Sequence, residues 1–232
     1  MKLIRRPKTL IIPIGPAGVG KSFLAQALCA NSTKYIRWHR DDVFASLKNK
    51  GYSMNNSKKI CHKQLLEFLR GNDINKHGLV RILDSTNGNS EARKLYVKEN
   101  QPQLIILVEL RVASDDKEEI LNVLLKRTRN RLEGGDGCHP SFPDTVEGQQ
   151  EKHSNILKGI EYPTKMELEE MAGSNSIGTG ARRIVHIICD PRDTRKLSLL
   201  PFGIFLECST NIHLREGIGS GTDKPVFVVS EP

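Results

Sequence analysis

Short apolar runs alternate with longer amphipathic segments along the first 190 residues of the chain. The apolar runs are rich in Ile, Val and Leu, which is typical of buried strands, while the other segments repeat apolar residues at helical spacing. Because strands and helices alternate, the pattern predicts an α/β fold built on a parallel sheet. The predicted strands are residues 9–14, 35–38, 79–83, 104–112 and 183–189, and the predicted helices are 23–30, 43–47, 59–70, 91–99, 115–132 and 146–160.

Glycines, prolines and small residues break this pattern. Residues 133–144 are rich in Gly and Pro, which predicts a mobile lid after a helix that carries arginines, and residues 173–180 predict a second loop. Beyond Asp190, the apolar stretch 197–207 predicts an edge strand, and residues 217–229 a poorly ordered tail. We therefore expect one main domain over residues 1–190 and a C-terminal extension over residues 191–232.

One glycine-rich turn carries a specific signal. Residues 15–22 match the phosphate-binding pattern G-x-x-x-x-G-K-[ST] at every position, between a predicted strand and a predicted helix. The glycines let backbone N–H groups turn towards phosphates, the lysine reaches the β- and γ-phosphates, and the serine hydroxyl holds Mg²⁺. ATP or GTP with Mg²⁺ are the predicted cofactors. The predicted nucleotide-binding residues are Gly15, Gly18, Gly20, Lys21 and Ser22.

Carboxylates follow the next two predicted strands. Asp41 and Asp42 come after the second strand and Asp84 after the third, and the carboxyl ends of parallel strands meet at one edge of a sheet. A kinase needs one carboxylate to activate the acceptor hydroxyl and another in the Mg²⁺ shell, roles for which Asp41 and Asp84 are the candidates. Structural roles stay open: Asp42 is better explained as a helix N-cap, and Asp84 could be a turn residue.

Composition narrows the class of partner and the compartment. With 35 basic and 27 acidic side chains the net charge is +8, which favours an anionic partner but also fits a solvated basic surface. The five cysteines are widely spaced and form no C-x-x-C pair, which predicts a reducing compartment, cytoplasmic or nuclear, and no zinc site. No apolar stretch has the length of a membrane span, so no membrane partner is expected. Nothing in the sequence indicates an oligomeric state.

The order of these motifs resembles phage-type polynucleotide 5′-hydroxyl kinases and the kinase domains of tRNA-splicing ligases. The words that carry the resemblance are the glycine-rich loop, Arg40-Asp41-Asp42, Asp84-Ser85-Thr86-Asn87 and Glu91-Ala92-Arg93, within residues 8 to 160. The resemblance implies a P-loop NTPase/kinase fold, with a five-stranded parallel sheet flanked by helices and a lid.

The resemblance also implies roles. Asp41 would be the general base for the polynucleotide 5′-OH, and Lys21 with a lid arginine would stabilise the transferring phosphoryl group. Arg127 and Arg131 are favoured for the lid because a spacing of i to i+4 places them on one helix face. Each could equally be a solvated helix arginine.

The chain departs from the family where an arginine that holds the acceptor phosphate is replaced by Phe44. Acceptor recognition would then use Arg40, Lys48 or base stacking on an aromatic residue. His39, His139 and His153 show no metal-binding spacing and are expected at the surface. The aromatic candidates are Trp38, Phe44 and Tyr52.

We expect a kinase that transfers the γ-phosphate of ATP or GTP to a 5′-OH end, of RNA in preference to DNA. A small-metabolite kinase on the same fold and a nucleotide-binding module without transferase activity are the alternatives. The pair Asp41-Asp42 favours transfer, since a pure switch needs no carboxylate that activates an acceptor.

Overall fold

The described part of the chain forms a parallel sheet covered by helices on both faces. The computed structural model describes residues 9–71, 80–133, 145–173, 182–213 and 228–230. Within them the sheet has six strands in the order β2-β3-β1-β4-β5-β6. The strands are β1 (Thr9–Ile14), β2 (Tyr35–His39), β3 (Val80–Asp84), β4 (Leu104–Leu110), β5 (Arg183–Cys189) and β6 (Val228–Ser230). The helices are α1 (Lys21–Asn31), α2 (Arg40–Asn49), α3 (Met54–Arg70), α4 (Ser90–Asn100), α5 (Lys117–Glu133), α6 (Val146–Lys158), α7 (Lys165–Gly173) and α8 (Thr194–His213).

The predicted α/β architecture is confirmed. All five predicted strands are present and pair in parallel. The short strand β6 pairs in parallel with β5, so part of the expected tail extends the sheet. The predicted lid lies mostly outside the described residues.

The edge strand predicted over residues 197–207 is wrong, because this stretch lies in helix α8. Its buried residues recur every three or four positions, as on one helix face. Apolar residues on the opposite, exposed face hide that period in the sequence. The buried set is Leu197, Leu200, Ile204 and Cys208, and the exposed set is Leu199, Phe202, Phe205 and Leu206. No helix among the described residues is both long and apolar enough to cross a membrane.

Two apolar clusters lie on the two faces of the sheet. Alternate residues of β4 point to opposite faces, Ile106 and Val108 into one cluster and Ile105 and Leu107 into the other. Helices α1, α5 and α8 contribute to the first cluster and α3, α4 and α7 to the second. Because both faces are covered, the central strands are apolar throughout.

The sheet brings the candidate residues to one edge. β1 lies between β3 and β4, so the glycine-rich loop that follows it starts at the centre of the sheet. β2 pairs with β3 in a register that sets His39 opposite Asp84. The start of α2 therefore lies beside the carboxyl end of β3.

A buried ion pair joins the segment after β3 to helix α7, an element that the sequence pattern did not predict. The Arg93 guanidinium donates to both carboxylate oxygens of Glu167, each at 2.7 Å, and both side chains are buried. A further guanidinium nitrogen donates to the carbonyls of Asn87 and Glu161, each at 2.8 Å. Arg93 thus connects three separate segments.

Replacement of Glu167 by Gln should lower the free energy of unfolding by about 3 kcal/mol, because it leaves the buried Arg93 charge without a counter-charge. Urea unfolding followed by circular dichroism measures the loss. The control is Arg70→Gln, which removes the exposed pair of Arg70 with Glu99 and should cost far less. Equal losses in the two variants would contradict the role given to Arg93.

Candidate active site

The glycine-rich loop turns sharply where β1 ends. Gly15, Gly18 and Gly20 have φ of 150°, 84° and 110°, a region that side chains rarely tolerate. A Cβ on Gly15 would lie 2.3 Å from the carbonyl oxygen of Leu110, so this position has room only for hydrogen. The Gly15 N–H donates to the Thr86 carbonyl at 3.2 Å, which ties the loop to the segment after β3. The predicted phosphate-binding conformation is therefore built into the backbone.

The Lys21 side chain folds back onto the start of this loop. Its ammonium group donates to the carbonyls of Gly15 at 2.8 Å and Pro16 at 2.6 Å. The residue begins helix α1, whose N-terminal N–H groups add positive potential at the same place. A positive charge so placed can reach the terminal phosphates of a bound nucleotide.

The side chains of Ser22 and Asp84 lie in contact, which is an arrangement that suits Mg²⁺ binding. The Ser22 hydroxyl donates to Oδ1 of Asp84 at 3.1 Å, and the Asp84 carboxylate is buried at the end of β3. Hydroxyl and carboxylate oxygens are the ligands that Mg²⁺ prefers, and one or two such ligands suffice beside phosphates and water. The two residues therefore fit the cation expected from the loop motif. The described residues contain no group of three or more His, Cys, Asp or Glu side chains that could hold a metal.

His39 lies among the three candidate carboxylates and corrects two expectations. Its Nδ1 is 2.8 Å from Oδ1 of Asp42, and its Nε2 is 3.8 Å from Asp41 and 3.6 Å from Asp84. It is not a surface histidine, because its side chain is only 18% exposed. It is also the N-cap of α2, so Asp42 lies in the first turn of that helix and is not its cap. The sequence signal that could have identified His39 as a site residue is its position directly before Arg40-Asp41-Asp42.

Arg37 supplies the positive charge within this acidic group. Its guanidinium donates to Asp84 at 3.4 Å and to Asp42 at 3.3 Å. Asp42 is two-thirds exposed, whereas Asp41 is 28% exposed and faces the side of His39 that also faces Asp84. Asp41 is therefore the less exposed carboxylate of the pair, and it lies beside the same nitrogen of His39 as Asp84.

The two arginines predicted for the lid are described unequally. The Arg127 guanidinium donates to the carbonyls of Val19 at 3.2 Å and Pro191 at 2.6 Å, so it bridges the glycine-rich loop and the connection after β5. Burial lowers the pKa of this guanidinium. Arg131 lies in α5, but its side chain is outside the described residues.

His153 is fully buried behind the loop, contrary to the expectation of a surface position. Thr128 donates its hydroxyl proton to the Leu124 carbonyl at 2.9 Å, and its oxygen is 3.0 Å from Nε2 of His153. Burial, with a smaller contribution from the Lys21 charge, lowers the pKa of His153 to about 4. His139 lies outside the described residues.

The five residues proposed for acceptor recognition differ in how exposed their side chains are. Trp38 is buried in the core, so it is not available for base stacking. Arg40 is exposed and its guanidinium lies 5.2 Å from the centre of the Phe44 ring. Lys48 and Tyr52 are exposed. Phe44 is partly buried and packs against the apolar cluster that contains Trp38, so Arg40, Lys48 and Tyr52 are the exposed candidates.

Neutral His153 should make the protein less stable in acid. Between pH 6.5 and about 4 the unfolded chain takes up a proton that the folded protein excludes, so the free energy of unfolding falls as the pH falls through this window. The full loss is about 3 kcal/mol. Urea unfolding at about pH 7 and about pH 5 should show a flatter dependence in His153→Gln than in the wild type or in a control, His62→Gln. Identical slopes in all three would contradict the buried neutral imidazole.

Several solved structures share the fold. A putative kinase from Chloroflexus aurantiacus J-10-fl matches with a TM-score of 0.53 at 14% identity, over 92% of this chain and 100% of that chain. A gluconokinase from Sinorhizobium meliloti 1021 matches with a TM-score of 0.50 at 14% identity, over the same shares of the two chains. The structure of the Pnkp1/Rnl/Hen1 RNA repair complex matches with a TM-score of 0.50 at 17% identity, over 82% of this chain and 58% of that chain.

No curated protein sequence matches the chain. The family model described as AAA domain matches residues 10–137, which is more than half of the chain and includes the glycine-rich loop, Asp41 and Asp84. The chain therefore belongs to this AAA domain family and has the fold of the P-loop kinases.

Proposed function

We propose that the protein is a polynucleotide 5′-hydroxyl kinase, which transfers the γ-phosphate of ATP or GTP to the 5′-OH end of RNA, in preference to DNA. The observation that carries the proposal is the position of Asp41. Its carboxylate lies 3.8 Å from Nε2 of His39, which is 3.6 Å from Asp84, and Asp84 contacts Ser22, so Asp41 would be able to act on an acceptor beside the predicted phosphate site.

The phosphate donor would bind along the glycine-rich loop. Lys21 and the N–H groups of the loop would stabilise the negative charge of the transferring phosphoryl group. Ser22 and Asp84 would hold Mg²⁺, which supplies further charge neutralisation when bound. Arg127, which contacts the loop at Val19, is a candidate for an additional cationic contact.

The acceptor would approach from the side of α2. Asp41 is partly exposed in the first turn of this helix, so its carboxylate can accept the proton of an incoming hydroxyl. The fold alone does not choose the acceptor, since similar structures include a gluconokinase and an RNA repair complex. The choice of a polynucleotide depends on the motif words around Asp41 and Asp84 and on the positive net charge.

A panel of acceptors tests the proposal directly. With γ-labelled ATP or GTP, the protein should label 5′-OH RNA, label 5′-OH DNA less, and leave 5′-phosphorylated RNA, gluconate and free nucleosides unlabelled. Lys21→Met should abolish labelling, while the protein without nucleotide should remain as stable as the wild type. Labelling of a sugar or nucleoside alone would establish a metabolite kinase. Nucleotide binding without labelling of any acceptor would establish a module without transferase activity.

Asp41→Asn should lower kcat by about a hundredfold or more with little change in nucleotide affinity, because general-base assistance commonly contributes that factor. The matched control is Asp42→Asn, which removes a carboxylate one residue away and should have the smaller effect. Steady-state kinetics with a 5′-OH oligonucleotide, together with equilibrium nucleotide binding, separate the two quantities. A larger loss in Asp42→Asn would show that Asp42 is the base.

A further inference from the structure

Most of the excess positive charge of the chain lies in the stretch of sequence that follows the candidate base. Residues 43–66, from the second turn of α2 to the last turns of α3, contain five lysines and no aspartate or glutamate. This stretch thus accounts for five of the eight net positive charges. All five side chains are exposed. We call them the lysine surface: Lys48, Lys50, Lys58, Lys59 and Lys63.

The lysine surface is poorly neutralised by the protein itself. Within the described ranges, only Lys63 lies within salt-bridge distance of a carboxylate, 3.9 Å from Oε1 of Glu67. By contrast, the partly buried Lys94 pairs with both Glu91 and Glu170. Like charges collected on two packed helices repel each other, and an external polyanion relieves that repulsion.

The position of the lysine surface fits a strand that begins at Asp41. Helix α2 starts beside the candidate base and is about 15 Å long, and Lys48 and Lys50 lie at its far end. At about 3.4 Å per stacked nucleotide, that length corresponds to about four nucleotides. Helix α3 packs against α2 and carries the other three lysines.

An exposed aromatic side chain lies within the same stretch. Tyr52 is 46% exposed in the connection between α2 and α3, where it follows Lys50 and precedes the N-cap Ser53. Aromatic rings among cations are typical of surfaces that bind single-stranded nucleic acids, because bases stack on the rings while phosphates contact the cations.

We propose that the lysine surface binds the phosphodiester backbone of the acceptor strand downstream of the 5′-OH that lies at Asp41. This inference rests on the proposed function and deepens it: the preferred substrate is a single strand of several nucleotides and not a nucleoside 3′-phosphate. Affinity should therefore increase with acceptor length until the strand spans the lysines of α2 and α3.

The experiment measures KM for 5′-OH acceptors of increasing length, from a nucleoside 3′-phosphate to an oligomer of about ten nucleotides. In the wild type, KM should fall with length, and the longest acceptor should bind more weakly as salt increases. In the triple variant Lys58→Gln, Lys59→Gln, Lys63→Gln, the KM advantage of the longest acceptor should shrink about tenfold, with a shallower salt dependence. A control triple variant, Lys117→Gln, Lys165→Gln, Lys196→Gln, removes equal charge outside α2 and α3 and should keep the wild-type advantage.

The outcomes separate this inference from the proposed function. If the wild type labels oligomers but with a KM independent of length, or if both triple variants lose the advantage equally, the lysine surface is not the strand-binding site although the kinase assignment stands. If the wild type labels no 5′-OH oligomer, the proposed function and this inference both fall. Binding of the wild type, but not of the first triple variant, to phosphatidylserine vesicles without any effect of oligomer length would assign the surface to a membrane instead.

Discussion

The side-chain amide of Asn87 determines how the two halves of the site face each other. Its Nδ2 donates to the carbonyls of Pro13 and Leu83, each at 2.7 Å, and so joins the carboxyl ends of β1 and β3. β1 leads into the glycine-rich loop, and β3 ends at Asp84. The residue has φ of 49°, which Asn tolerates better than most side chains, and its Oδ1 accepts from the Ser85 hydroxyl at 2.6 Å. Each buried hydrogen bond contributes about 1 kcal/mol, and an unsatisfied partner would cost more.

The electrostatics of the site follow from this arrangement. Asp84 is buried, and a buried carboxylate needs partners that neutralise it. Ser22, at the start of α1, donates a hydrogen bond to it, and Arg37 and His39, both in β2, lie beside it at 3.4 Å and 3.6 Å. The same three partners connect Asp84 to the glycine-rich loop, to β2 and to the start of α2. A change in the charge of Asp84 would therefore affect both the nucleotide side and the acceptor side of the site.

Local patterns and long-range pairs differ in how far the sequence could predict them. The glycine-rich loop and the strand ends depend on neighbouring residues, and their predicted positions agree with the structure. Asp42 does not cap α2 as expected, because the helix begins two residues before it and His39 occupies the N-cap position. Helix α8 was mistaken for a strand because apolar residues cover both of its faces. The pair of Arg93 and Glu167 joins residues 74 positions apart, a distance at which spacing carries no information.

The glycine-rich loop is completed by residues from the far end of the chain. Arg127 links Val19 to Pro191, and Leu197 of α8 lies 3.5 Å from where a Cβ on Gly20 would be. During synthesis on the ribosome, β1 and its loop emerge long before these residues. A nascent chain that ends before α8 lacks the side chain that lies beside Gly20, so the glycine-rich loop should reach its final environment late in translation, once α8 has packed.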